Sequence, residues 1–261
     1  MDGDKYTIGV IGAGNLAFSL VPALNGSGHQ VKQIISRNKT AAMDLAKQSK
    51  ADSHTRISDL LPELDIVFLT VPDSAIPVIA RDLDWFKGIL VHTSGSVSLE
   101  SIMSGKGARG VFYPLQTFNR NRKVEFENVP IFIEGSGQTV LSDIKGIAES
   151  LSARAYEMDS AKRAELHLAA VFANNFSNYI LLSSYRIAEK SDIPPELMKN
   201  LIKETFGKAL ENGPVASQTG PAFRGDKTTI EKHLKLLSCS PELSDIYQCL
   251  TDSIMKYYKK D

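Results

Sequence analysis

A glycine-rich stretch near the start of the chain has the residue types that bind a dinucleotide. An apolar run, residues 6–11, leads directly into Gly12-Ala13-Gly14-Asn15-Leu16-Ala17, a G-x-G-x-x-A pattern. In this pattern the first glycine allows a tight turn, the second lets the backbone approach a pyrophosphate, and the alanine lets the next helix pack closely on the strand. The residues that we predict to contact the phosphates are Gly12, Gly14, Asn15 and Leu16. The alternative interpretation is an ordinary strand-to-helix turn.

The residues after the second apolar run, 31–35, decide which dinucleotide fits. An Asp or Glu there binds the 2′-hydroxyl of NAD, whereas a cation suits the 2′-phosphate of NADP. Here Ser36, Arg37 and Asn38 follow, and no acid occurs before Asp44. A guanidinium with two hydrogen-bonding neighbours suits a phosphate monoester. The sequence therefore predicts NADP and argues against an S-adenosylmethionine methyltransferase, with an exposed polar turn as the alternative.

Three later apolar runs end in residues that we expect to face the nicotinamide end of the cofactor. Ligands of parallel α/β sheets bind outside the carboxyl ends of the strands. Val71 and Pro72 stand at the end of one run and are predicted to pack along the cofactor. Ser94 follows the next run and is predicted to act in catalysis. Gln116 and Thr117 follow the third and are predicted to contact substrate. The alternatives are turn chemistry for Ser94 and satisfaction of loop backbone for Gln116.

A line of polar side chains lies on an otherwise apolar helix that we predict over residues 160–189. At 100° per residue, three of them fall within about 20° of the first; the four are His167, Asn174, Asn178 and Tyr185. Unpartnered buried polar groups cost about 1–3 kcal/mol each, so this line is expected to meet water, ligand or another chain. We predict His167 and Asn174 as catalytic residues and Asn178 as a substrate contact. The alternative for His167 is a core histidine with ordinary partners.

A polar loop at residues 218–227 supplies a further candidate. Arg224 is predicted to clamp an anionic substrate, and the alternative is an ion pair with Asp226 that ties one helix end. The sequence contains no cluster of His and Cys with metal-ligand spacing, so no metal is predicted.

The order of apolar runs and helical segments indicates an α/β fold. The predicted strands are residues 6–11, 31–35, 66–71, 89–92, 110–113, 131–133 and 153–156. Strands that alternate with helices predict a Rossmann-type, doubly wound parallel sheet. After Asp159 only helical signals follow, with Ser160 as the expected N-cap of the long helix. We therefore predict an NADP-binding domain over 1–158 and an all-α C-terminal domain over 159–261.

Composition excludes several classes of protein. The chain has 261 residues, 43% of them hydrophobic, which is enough for one or two packed domains. Thirty Lys and Arg balance thirty Asp and Glu, so we expect no nucleic-acid partner. The charge-free runs contain too many polar residues for a membrane span, so no membrane partner is expected either. The two cysteines fit reduced thiols and a cytoplasmic location.

Taken together, the motifs resemble those of a group of bacterial NADP oxidoreductases with a Rossmann-like N-terminal domain and a helical C-terminal domain of unassigned function. The matching stretches are 12–15 (GAGN), 92–95 (HTSG), 113–118 (YPLQTF), 167–175 (HLAAVFANN), 219–221 (TGP) and 224–226 (RGD). The wider relatives are pyrroline-5-carboxylate reductase, ketopantoate reductase and 6-phosphogluconate dehydrogenase-like enzymes. The resemblance implies a nicotinamide cofactor in the first domain and a homodimer formed through the helical domain, with the active site in the cleft between domains.

One feature of these relatives does not carry over. Several 3-hydroxyacid dehydrogenases have a catalytic Lys one turn before an Asn on the long helix, whereas Ala170 stands four residues before Asn174 here. The predicted function is therefore NADP-dependent hydride transfer to or from a small C=O or C=N substrate, with a proton from His167 or from a water held by Asn174 and Ser94. The alternative is an NADP-binding redox sensor or regulatory protein without turnover. The substrate, the direction and any role of a deazaflavin stay open.

Overall fold

The computed structural model describes residues 5–102, 107–122, 124–151 and 154–258. The chain divides into two compact units, Met1–Asn175 and Phe176–Asp261. The first unit contains the sheet and the helices that cover it, and the second is helical in its described part.

One sheet of eight strands organises the first unit, in the order β3-β2-β1-β4-β5-β6-β7-β8. The strands are β1 Thr7–Ile11, β2 Gln30–Ile35, β3 Asp52–His54, β4 Ile66–Leu69, β5 Ile89–His92, β6 Ala108–Pro114, β7 Ile131–Gly135 and β8 Ala155–Glu157. Neighbouring strands are parallel except for β6 and β7, which are antiparallel. This order confirms the prediction of a Rossmann-type sheet.

Helices cover both faces of the sheet because successive side chains of a strand point to opposite faces. In β4, Phe68 packs in a core cluster with α1 and α2, while Val67 packs in a second cluster with α3. The helices of the first unit are α1 Asn15–Gly26, α2 Lys39–Ser49, α3 Ile76–Asp82, α4 Gln138–Leu151 and α5 Ser160–Ala170. The carboxyl ends of β1, β4, β5 and β6 therefore share one edge of the sheet.

The second unit begins inside a wide helical turn. Residues Val171–Phe176 form a π-helix that follows α5 and leads into α6. The helices of the second unit are α6 Ser177–Glu189, α7 Lys199–Asn212, α8 Pro214–Ser217, α9 Pro221–Arg224, α10 Lys227–Leu236 and α11 Pro241–Tyr258. The sheet ends at Glu157, near the predicted domain boundary, but residues 160–175 belong to the first compact unit. The assignment of domains to 1–158 and 159–261 stays a prediction.

Two local predictions were wrong. The strand β3 was missed, because Asp52, Ser53 and His54 are polar and show no apolar alternation. The N-cap of α5 is Asp159, whose carboxylate accepts from the amide of Lys162 at 2.8 Å, rather than Ser160. Of the strand predicted over 153–156, Ala153 lies outside the described residues.

Membrane-spanning helices and clusters of metal-ligating side chains are both absent from the described residues. Within them, no helix is both long and apolar enough to cross a membrane. In the same part of the chain, no group of three or more His, Cys, Asp or Glu is arranged to hold a metal ion.

Candidate active site

The turn after β1 has a backbone that only glycine fits. Gly12 has a φ of +111°, and a Cβ at this position would lie 2.2 Å from the carbonyl oxygen of Thr70. The amide of Gly12 donates to the carbonyl of Ile35 at 2.8 Å. The hydroxyl of Thr70 lies 3.1 Å from the Gly12 carbonyl and donates to it. The turn is therefore fixed between the ends of β2 and β4.

Gly14 meets a different requirement. Its φ of −86° suits any residue, and an added Cβ would meet only the Thr70 carbonyl oxygen at an ordinary 3.9 Å. Nothing in the described chain therefore demands glycine here, and the missing side chain leaves room for a ligand. Asn15 and Leu16 begin α1, whose first turn has no side-chain cap, so its amides are available to an anion. Ala17 is fully buried against the sheet.

A cavity of about 460 Å³ opens beside this turn; we call it the dinucleotide cavity. Of the predicted cofactor contacts it is lined by Gly12, Gly14, Ser36, Arg37, Val71 and Pro72. Asn15, Leu16 and Asn38 lie outside this lining. The sequence missed several further lining residues: Thr55, Ile57, Thr70, Val78 and Asp82. The volume lies within the usual range for ligand sites.

The loop after β2 presents one cation to this cavity. Arg37 is exposed and has no hydrogen bond or ion pair with another described residue. Asn38 caps α2, because its side-chain oxygen accepts from the amide of Ala41 at 3.0 Å. The hydroxyl of Ser36 accepts from the Asn38 amide at 3.2 Å. The residues present therefore fit a 2′-phosphate, with Arg37 as the available charge.

A tyrosine and a histidine meet farther along the same edge of the sheet. Tyr113, near the end of β6, has its hydroxyl 3.1 Å from Nδ1 of His167 on α5. Their ring centroids are 5.9 Å apart, and the ring planes meet edge to face at 77°. Burial raises the pKa of Tyr113, so its phenol is protonated at neutral pH. Tyr113 lies within one of the sequence motifs, but no role could be predicted for it because its partner lies 54 residues away.

The backbone of Gly95 packs directly against this pair. A Cβ at Gly95 would lie 2.7 Å from Nδ1 of His167 and 2.8 Å from Cζ of Tyr113. The loop after β5 therefore holds the two side chains together, and glycine is needed for that contact.

A second cavity, also of about 460 Å³, has this pair in its wall; we call it the Tyr113 cavity. Its polar lining residues are Tyr113, Gln116, Thr117, His167, Asn174 and Asn175. Its apolar lining residues are Leu115, Leu166, Ala169, Ala170, Val171 and Ala173. The structure thus brings together four predicted site residues: His167, Asn174, Gln116 and Thr117. Their contacts with a substrate stay predictions.

Ser94 has a structural position near the pair. It is 8% exposed and lines neither cavity. Its hydroxyl accepts from the amides of Ser96 and Val97, each at 3.1 Å, which is turn chemistry. Beneath it, His92 is fully buried and accepts from the Ser94 amide through Nδ1 at 3.2 Å. Burial, and next the charge of Arg163, lower the pKa of His92 to about 4, so it is neutral at pH 7.

A buried ion pair positions the helix that carries His167. Arg163 is fully buried and donates to the carboxylate of Glu134 on β7 and to the carbonyl of Val97. The hydroxyl of Ser160 donates to the same carboxylate at 2.7 Å. His167 follows Arg163 by one helical turn, so it lies on the same face of α5. The sequence offers no signal for this contact, because a charged residue is expected at the surface.

Asn178 and Arg224 belong to the second compact unit. Neither lines the dinucleotide cavity or the Tyr113 cavity. The π-helix separates Asn178 and Tyr185 from His167 and changes the angular spacing on which the polar line was predicted. Their roles stay predictions.

Two known protein families each match one stretch of the chain. A family described as NADP oxidoreductase, coenzyme F420-dependent, matches residues 7–94. A domain family of unknown function (DUF2520) matches residues 129–254. No curated protein matches the chain.

Solved structures resemble the whole chain. A Bacteroides fragilis protein named "putative NADP oxidoreductase" is 36% identical with a TM-score of 0.90, over 97% of this chain and 98% of that one. The 1-pyrroline-5-carboxylate reductase of Streptococcus pyogenes is 15% identical, with a TM-score of 0.63 over 97% and 100% of the two chains. A reductive aminase from Aspergillus terreus, solved with NADPH and ethyl-5-oxohexanoate, is 12% identical, with a TM-score of 0.72 over 97% of this chain and 95% of that one. The last two show the fold alone.

These findings agree with the glycine turn, the room at Gly14 and the cation at Arg37. NADP is the cofactor, as the sequence predicted. The chain belongs to the family of the Bacteroides fragilis protein, the NADP oxidoreductases with a Rossmann-like first domain.

Proposed function

We propose that the protein is an NADPH-dependent reductase of a small C=O or C=N substrate bound in the Tyr113 cavity. One observation carries the proposal. The Tyr113 hydroxyl and the His167 imidazole, 3.1 Å apart, form the polar wall of a cavity at the sheet edge where the glycine turn also lies. A hydride acceptor needs a proton donor at this place, and the two side chains supply one.

The chain's own residues divide the work. NADPH supplies a hydride to the substrate carbon when it is bound. The hydroxyl of Tyr113 donates its proton to the substrate oxygen or nitrogen. Protonated His167 then replaces that proton through Nδ1 and regains one from water. The amide of Asn174 orients the substrate in the same cavity. The hydroxyl of Ser94 accepts from the amides of Ser96 and Val97 and so shapes the loop that holds the pair. Ser94 is therefore a positioning residue.

In the cofactor site, we propose that Arg37 binds the 2′-phosphate. Loss of one charge-assisted phosphate contact costs about 1.5–3 kcal/mol, which is about a tenfold to hundredfold weakening. Fluorescence titration with NADPH and NADH should therefore show that NADPH binds more tightly and that Arg37→Ala removes most of this preference. Lys47→Ala is the control, because Lys47 is an exposed cation on α2 that does not line the cavity. An unchanged ratio in Arg37→Ala contradicts the assignment.

Turnover is tested by NADPH oxidation against a panel of small ketones, aldehydes and cyclic imines. Steady oxidation that depends on the added compound supports the reductase. Tight NADPH binding with no oxidation by any member supports the redox-sensor alternative instead.

We also propose that the protein is a homodimer formed through its helices. Many large apolar side chains of this region are exposed in the single chain: Leu168, Phe172, Phe176, Leu182, Leu197, Leu201 and Leu210. So much apolar surface is typical of an interface. Light scattering should give about twice the chain mass of 28.6 kDa. A charged residue at Phe172 should lower the dimer fraction, and a monomer at micromolar concentration contradicts the proposal.

A reducing, cytoplasmic location is the last part of the proposal. Cys239 and Cys249 are free and exposed. Exposed thiols persist where glutathione keeps them reduced. Cell fractionation that places the protein outside the cytoplasm contradicts it.

A further inference from the structure

The residues that line the Tyr113 cavity limit the chemistry of the ligand that it can hold. Among the described residues, none of its lining side chains is Asp, Glu, Lys or Arg. Half of the lining residues are apolar, and the rest carry hydroxyl, amide or imidazole groups. The wall therefore offers hydrogen bonds and apolar contact but no fixed charge.

We propose that the substrate of this cavity is non-acidic: a carbonyl or imine compound with an apolar body and no carboxylate or phosphate group. This inference rests on the proposed reductase function and narrows its substrate class. An anion that leaves water for such a wall loses hydration that no cation replaces. A neutral carbonyl or imine loses less, and it gains a hydrogen bond from Tyr113.

Arginines on neighbouring elements are already engaged. The guanidinium of Arg163 is fully buried and bonded to Glu134, so it is not free to pair with a ligand. Arg109 pairs with Glu100 at 2.8 Å. Arg120 donates to the carbonyl of Ala13 and lies over the ring of Phe18. None of these three lines the Tyr113 cavity.

The polar groups that do line the cavity suit a neutral ligand. The side-chain oxygen of Gln116 accepts from the amide of Thr117 at 2.8 Å, which leaves its NH₂ group to donate. Asn174 and Asn175 each bring both an acceptor and a donor. One carbonyl or imine and an apolar ring can thus be held without an ion pair.

The test uses two ligands that differ by one group, cyclohexanone and 4-oxocyclohexanecarboxylate. Binding of each to the protein saturated with NADP⁺ is measured by calorimetry or ligand-observed NMR, where no turnover can occur. We expect cyclohexanone to bind about tenfold or more tightly than the acid. Equal or tighter binding of the acid, or no binding of either at millimolar concentration, overturns the inference.

A designed change of charge sharpens the test. Gln116→Arg places a cation in the wall and should shift the preference toward the acid by about tenfold or more, whereas Gln138→Arg, at an exposed position of α4, should not. If the wild-type protein prefers the acid and Arg224→Ala removes that preference, the anion clamp predicted at Arg224 is correct and the inference is wrong.

Parallel NADPH oxidation assays separate the two proposals. Oxidation driven mainly by the acid overturns the non-acidic substrate and keeps the reductase. Binding of cyclohexanone with no oxidation of NADPH by any member of the carbonyl and imine panel keeps the ligand class and contradicts the reductase.

Discussion

Among the described residues, two histidine–tyrosine pairs have nearly the same edge-to-face geometry. In the first pair, the Tyr113 hydroxyl lies 3.1 Å from Nδ1 of His167, and the ring centroids are 5.9 Å apart with the ring planes at 77°. In the second, the Tyr247 hydroxyl lies 2.9 Å from Nδ1 of His233, and the ring centroids are 5.6 Å apart with the ring planes at 80°. The first pair joins a strand end to α5 and lines a cavity. The second joins α10 to α11 and lines neither cavity described above. Pair geometry alone therefore does not identify an active site; its surroundings do.

The largest expected effect comes from breaking the first pair. His167→Asn and Tyr113→Phe should each lower kcat by about a hundredfold or more, the usual contribution of a positioned proton donor. NADPH affinity should stay within a factor of a few, because the glycine turn is unchanged. The measurement is NADPH oxidation with the best compound of the panel.

The second pair provides the matched control for that comparison. His233→Asn and Tyr247→Phe remove the same groups and should leave kcat within a factor of a few. If all four variants lose activity alike, the loss reflects folding. If His167→Asn turns over normally, the proton comes from elsewhere, and if it unfolds, His167 is a core histidine.

A third histidine, buried and with no such tyrosine partner, should make stability depend on pH. The folded pKa of His92 is about 4, below its ordinary 6.5, because burial and the charge of Arg163 disfavour the cation while Asp73 opposes them weakly. Between these values the unfolded chain binds more protons, so stability falls as pH drops from about 6.5 to about 4. The shift of about 2.5 units corresponds to on the order of 3 kcal/mol.

Denaturant unfolding from pH 7 to pH 4.5 measures this dependence. In His92→Asn the slope of stability against pH should be shallower than in the wild type. The pKa of His29 is also lowered by burial, but His29 is present in both the wild type and the variant. The difference between their two slopes therefore reports on His92. Identical slopes contradict the assignment.

A smaller effect is expected from crowding the first pair without removing either side chain. Gly95→Ala adds a methyl group 2.7 Å from Nδ1 of His167, so the pair must move. We expect kcat to fall about tenfold, since misplaced catalytic groups lose rate even when both are present. Gly146→Ala, which meets open space on α4, is the control. Unchanged kcat in Gly95→Ala shows that the contact does not set the pair's position.

The smallest effect is the stability loss at the second pair. Tyr247→Phe removes one partly buried hydrogen bond, which is worth about 1 kcal/mol. Thermal unfolding should show a lower Tm with unchanged turnover. If Tyr247→Phe loses turnover without a change in Tm, the second pair acts in catalysis and its assignment as a structural pair is wrong.

The sequence predicts those parts of the molecule whose signals are local. The glycine turn depends on neighbours in the chain, so Gly12 and Gly14 could be predicted from their spacing. The long strands could be predicted because their buried residues are apolar, as in β4. The short polar strand β3 could not, because its pairing with β2, rather than its own residues, makes it a strand.

The parts of the site that depend on contacts between distant residues could not be predicted. Tyr113 meets His167 only because the end of β6 packs against α5. The ion pair between Arg163 and Glu134 holds α5 in that place. A periodic helix pattern gives no warning of the π-helix after α5, which changes the angular spacing on which the polar line was predicted. Burial of a charged residue and a change of helix type are both outcomes of packing.

The π-helix at Val171–Phe176 has a consequence for how related chains can diverge. A π-helical turn holds one more residue than an α-helical turn. Loss of a single codon within it would therefore restore an ordinary helix, and because the wider turn has less rotation per residue, every later side chain of α6 would keep nearly its present face. The glycine turn and the Tyr113–His167 pair precede this point and would keep their places. One small deletion would thus change the type of helix while leaving both the exposed apolar face of α6 and cofactor binding intact.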